Sequence, residues 1–116
     1  MEIKHTHSDG IHVLAVIGDF TAPNLDAATL KFIEVIESAD TAGLVVDLAA
    51  ASFVDSKSIG LLVKAVKSME PKGGMLSLSR LRPELKNLLD RVQLTAFFHI
   101  HDSTEAAVEF LKEKLG

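Results

Sequence analysis

Three features of the sequence predict an α/β fold: a mixed, mostly parallel sheet with an antiparallel N-terminal hairpin and about four helices. An Asp9-Gly10 pair joins two strand-like runs, and such a pair favours the tight turn of a hairpin. Beyond it, apolar residues at helical spacing alternate with short β-branched segments, the order that parallel strands with crossover helices require. The 116 residues are 47% hydrophobic and 24% charged, which supports one core in one domain, residues 1–116, and is too apolar for disorder.

The first strand reads as EIKHTHS and the second as IHVLAVIG; a two-residue loop sets His7 opposite His12 and Thr6 opposite Val13. From Val13 to Ile17 the run is apolar on both faces, as an interior strand is, and Gly18 ends it. A loop through Phe20 leads to a helix started by Pro23 or Asn24, with the stripe Leu25, Ala28, Phe32, Ile33 and Ile36. GLVVDLA, Gly43 to Ala49, is a short buried strand. The second helix carries Ile59, Leu62, Val63, Val66 and Met69 and stops at Pro71 and Gly73-Gly74. MLSLS, Met75 to Ser79, alternates as a strand, and Pro83 opens a third helix with Leu85, Leu88, Leu89 and Val92. AFFHIH, Ala96 to His101, is the last strand. Asp102 with Glu105 makes an acidic capping box for a final helix bearing Ala106, Val108, Phe110, Leu111 and Leu115. Spacing leaves open whether the helices cover one face of the sheet or both.

Composition narrows the chemistry. With no cysteine there is no disulfide, thiolate metal site or cysteine nucleophile. Twelve Lys and Arg against 16 Asp and Glu give a formal charge of −4, which repels nucleic acid more than it gathers it. MEIKHTHSDG has no apolar run behind a basic region, so no signal peptide is expected, and nothing approaches a membrane-spanning length. The expectation is a cytoplasmic protein without membrane insertion.

The segment SFVDSKSIG, Ser52 to Gly60, concentrates polar residues at the mouth of the second helix. The first N–H groups of a helix lack partners, and its dipole presents positive potential there. Asp55 or Ser56 can serve as an ordinary cap, or the mouth can receive a phosphate; local sequence is compatible with both.

The passage VVDLAAASFVDSKSIGLL resembles the STAS domain family, which comprises anti-sigma factor antagonists and cytoplasmic domains of sulfate transporters. The matching positions run without a gap through Val46, Asp47, Leu48, Phe53, Val54, Asp55, Ser56, Lys57, Ser58, Ile59 and Gly60. The likeness continues from Gly18-Asp19-Phe20 to the Leu94 to His101 stretch and implies a STAS-like fold. It also implies that Ser56 is the serine phosphorylated in antagonists, by an anti-sigma factor with serine kinase activity. By the same likeness, the contact surface is the helix mouth and the preceding loop: Asp19, Phe20, Thr21, Asn24, Asp55, Ser56, Lys57, Ser58 and Gly60. Lys57 stands where the family has its second serine, and Ser58 where it has glycine. Unmodified Ser56 would permit binding and a phosphate would abolish it. The alternative is a constitutive adaptor subunit in a lipid-transport or signalling complex, without phosphorylation. Neither reading makes the chain an enzyme or gives it a cofactor.

Other constellations carry less. His5, His7 and His12 gather on one face of the hairpin, and His99 and His101 share a face. Their pattern lacks the acid or cysteine spacing of a metal site and reads as polar hairpin residues. Gly-x-Ser-x-Gly is absent around Ser56. In PKGGM the lysine precedes the glycines, the reverse of a phosphate loop. Asp47, at a strand end, reads as structural.

Overall fold

The computed structural model describes residues 1–116. β1 (Glu2–Ser8) and β2 (Ile11–Phe20) form the expected hairpin. Asp9 and Gly10 take φ of 53° and 80°, the pair of positive values that a type I′ turn demands. The register opposes His7 to His12 and Thr6 to Val13. β2 does not stop at Gly18. The strand continues to Phe20 through a register shift between Gly18 and Asp19, and Gly18 adopts φ 92°, a conformation costly for any residue with a Cβ. The bulge carries the end of β2 away from β3 (Gly43–Asp47) and onto β4 (Ala51–Val54). Periodicity had left β4 unrecognised, because four residues are too few to establish alternation.

The remaining elements are α1 (Leu25–Glu37), α2 (Ser56–Met69), β5 (Met75–Ser79), α3 (Pro83–Arg91), β6 (His99–His101) and α4 (Thr104–Leu115). The six-stranded sheet has the order β1-β2-β3-β5-β6, with β4 beside the end of β2; only β1 runs antiparallel. Alternation along the strands divides the core between the two faces. Leu14, Val16, Leu44, Val46, Leu76 and Leu78 pack with Phe32 of α1, Leu62 of α2 and Leu89 of α3. On the other face Ile11 and Val45 meet Ala107 and Leu111 of α4. Three helices therefore cover one face and one covers the other. α4 lies so close to β3 that a Cβ on Gly43 would stand 2.8 Å from Ile11 Cδ1 and 3.2 Å from Leu111 Cδ1.

Several boundaries differ from expectation, each for a local reason. Val35 is buried where Ile33, 45% exposed, was assigned to the stripe of α1; the helix presents Ala28, Phe32, Val35 and Ile36 inward instead. Val92 lies beyond the end of α3 and is exposed. Thr95–Phe97 form a 3-10 turn, so the last strand is only His99–His101. The cap of α4 is Ser103, whose Oγ accepts the Ala106 N–H at 3.0 Å; Asp102 is exposed instead, 3.8 Å from Lys86 Nζ.

Asp47 is structural, as the sequence suggested. It is 5% exposed at the end of β3 and takes a two-pronged bond from Arg80, Nε to Oδ1 at 3.1 Å and Nη2 to Oδ2 at 2.5 Å. Burial alone raises its carboxyl, but the Arg80 guanidinium and the Ala49 N–H outweigh it and hold it below the usual carboxylate range. No helix is long and apolar enough to cross a membrane.

Candidate functional site

The polar cluster divides into residues that build the mouth of α2 and residues that the mouth presents. Asp55 is the N-cap, with extended backbone, and its Oδ1 accepts the Ser58 N–H at 2.9 Å. Ser58 Oγ in turn accepts the Asp55 N–H at 3.0 Å. This is a capping box in which serine fills the place usually taken by Glu or Gln. The second carboxylate oxygen of Asp55 accepts the Ala22 N–H at 2.9 Å, which ties the loop after β2 to the helix mouth. Burial raises the Asp55 carboxyl, and the N–H bonds from Ser58 and Ala22 overcome that and leave it below its ordinary value.

Ser56, first residue of α2, and Lys57 are both exposed. Across the mouth Asp19 is exposed, Thr21 and Asn24 are half-buried, and Asn24 Nδ2 donates to the Asp19 carbonyl at 2.7 Å. Gly60 is half-buried one turn behind Ser56, and a Cβ there would meet nothing within 4 Å. Asp19, Thr21, Asn24, Asp55, Ser56, Lys57 and Gly60 thus share one end of the fold.

Two expected surface residues do not belong to the surface. Phe20 is 0% exposed, its ring 6.3 Å from that of Phe32, because the extra two residues of β2 turn it into the core. Ser58 is also 0% exposed, since the capping box points its hydroxyl inward. Phe53 is the surface residue that sequence reasoning missed: it is 67% exposed on β4. Beside it runs a groove of about 370 Å³ lined by Leu48, Val54, Arg82, Leu85 and Leu88. Its signal in the sequence was an aromatic immediately before a polar cluster, in a strand too short for its faces to be told apart.

The hairpin histidines also differ from expectation. His12 is only 3% exposed, its Nδ1 lies 2.8 Å from His5 Nε2, and its ring stacks on His7 at 4.9 Å. Burial lowers both His5 and His12 from the ordinary imidazole value, outweighing the nearby carboxylates. His12 is therefore a buried residue, while His7 stays exposed on the hairpin as a polar residue there is expected to be.

The chain belongs to the STAS domain family, whose model matches residues 2–107. Within that class it is similar to an anti-sigma F factor antagonist from Paenibacillus polymyxa, with 23% identity over 97% of this chain and 96% of that one. Among solved structures it resembles an anti-sigma factor antagonist from Mycobacterium paratuberculosis, with a TM-score of 0.86 at 18% identity over 96% of this chain and 93% of that chain. It also resembles the Bacillus cell-fate determinant SpoIIAA in its phosphorylated form, with a TM-score of 0.74 at 16% identity over 93% and 97% of the two chains.

Proposed function

We propose that this chain is an anti-sigma factor antagonist-type binding switch whose partner is an anti-sigma factor with serine kinase activity. The observation that carries the reading is the exposure of Ser56 beside a cap built entirely by its neighbours. Asp55 and Ser58 make the bonds that start α2, so the Ser56 hydroxyl is free to change without cost to the helix. A phosphate on it would bring about −1.5 to −2 charge, which the helix dipole tolerates within the molecule. Against a closely packed partner surface the same charge demands desolvation or meets repulsion. The contact surface is then Asp19, Thr21, Asn24, Asp55, Ser56, Lys57 and Gly60, widened by Phe53.

The test is to incubate the chain with the candidate kinase and ATP, map modification by mass spectrometry, and measure binding of Ser56→Asp. The expected result is a single phosphate on Ser56 and a Ser56→Asp variant that binds at least tenfold more weakly with an unchanged melting temperature. An unmodified Ser56, together with wild-type binding by Ser56→Asp, would overturn the switch. Lys57, exposed where the family has serine, favours the second reading, a constitutive adaptor. Capture of transporter subunits in place of a kinase would decide for it.

A further inference from the structure

We propose that His7, His12 and Asp40 bind a divalent transition-metal ion of the zinc class, with His5 as the positioning residue behind His12. One candidate ligand atom from each of the three lies within 4.8 Å of the others. The key member is His12. Its Nε2 is sealed from solvent and makes no hydrogen bond, although it stands 3.5 Å from Asp40 Oδ1. Two ligands of one tetrahedral zinc are separated by about 3.3 Å, given bond lengths near 2.0–2.1 Å. His12 and Asp40 are therefore already spaced as such a pair.

The other nitrogen of His12 has the partner that the metal-binding tautomer requires. When Nδ1–H donates to His5 Nε2 across the 2.8 Å contact, Nε2 carries no proton and faces the carboxylate. A metal-bound histidine usually has its second ring nitrogen held by such an outer partner. His7 and Asp40 are exposed, so their side chains can close the remaining distance by rotation; Ser38 Oγ, bonded to Asp40 Oδ1 at 2.5 Å, steadies the carboxylate. The fourth position is left to water. Two imidazoles and one carboxylate suit zinc, nickel or copper, whereas calcium and magnesium require sites built from oxygen.

The site joins the hairpin to the connection between α1 and β3. His12 is eight residues before Phe20 along β2, on the order of 25 Å at strand rise, and Phe20 pairs with Val54 beside the mouth of α2. Metal would thus brace the opposite end of the sheet without touching the partner surface.

The experiment is zinc titration of the untagged chain by calorimetry, with cobalt absorption as a second readout and melting followed throughout. One zinc per chain, a tetrahedral cobalt spectrum and a melting temperature that rises with zinc are expected. His7→Gln and Asp40→Asn, both at exposed side chains, should each weaken binding at least tenfold while metal-free melting stays unchanged. His5→Gln should lower affinity about 10- to 100-fold while the tetrahedral cobalt spectrum is kept at saturation. Absence of stoichiometric zinc overturns the site. So does zinc binding that survives intact in the His7→Gln/Asp40→Asn double variant, which would move the ion to His99 and His101.

Discussion

Ser56 and Ser58 are two residues apart and have opposite duties. Replacing Ser58 with alanine leaves the part-buried Asp55 N–H without its side-chain partner and removes half of the capping box; the expected loss is about 1–2 kcal/mol. Ser56→Ala should stay within about 0.5 kcal/mol of wild type, as substitutions at exposed sites do. Urea melts of the two variants check the contrast. The carboxylates beside them add a pH dependence. Asp47 and Asp55 both lie below their ordinary value when folded, so each contributes stability that is complete above the unfolded value of about 3.9 and is lost as pH falls through the folded one. Asp55→Asn should flatten the acid limb of a stability-against-pH curve, leaving stability at pH 3 closer to that at pH 7 than in wild type.

Helix α2 carries its own test at Gly60. Glycine within a helix costs about 0.5–1 kcal/mol relative to alanine, and nothing in this molecule occupies the space a Cβ would fill. Gly60→Ala should therefore raise the melting temperature by a few degrees. Because residues four apart share a helix face, the same methyl sits beside Ser56 and should weaken capture of the partner in a pull-down. Much of α2 was legible beforehand: Ile59, Leu62 and Met69 are buried as their spacing indicated. Asp55 was one of two candidate caps and is the one the helix uses; the reciprocal half of the box at Ser58 was not legible, because a serine at the third helical position does not have the usual Glu or Gln form. β4 escaped notice for a different reason. It exists only because the Gly18 bulge redirects β2, and a bulge depends on pairing between distant segments that no local pattern records.

The sheet as a whole is unevenly covered, with three helices against one face and α4 alone against the other. A methyl group on Gly43 would drive into Ile11 and Leu111, so Gly43→Ala is expected to destabilise by about 1–3 kcal/mol through overpacking. Leu111→Ala, which empties the same contact, should cost about 2–5 kcal/mol; thermal melts decide both. Hairpin register and the parallel direction of the later strands could be read from turn chemistry and alternation of elements, since those are local signals. Which face each helix chose could not, because crossover packing is settled by the assembled sheet. The inward turn of Phe20 belongs to the same class: its place in the core follows from where β2 ends.

The inward hydroxyl of Ser58 bears on how a modifying enzyme would choose its target. A short synthetic copy of Ser52 to Gly60 would offer three serines on equal terms. Folding withdraws Ser58, and it holds Ser56 at a helix start that an unstructured peptide lacks. Site choice would then be a property of shape as well as of local wording, and a heat-unfolded sample should accept the group indiscriminately or not at all.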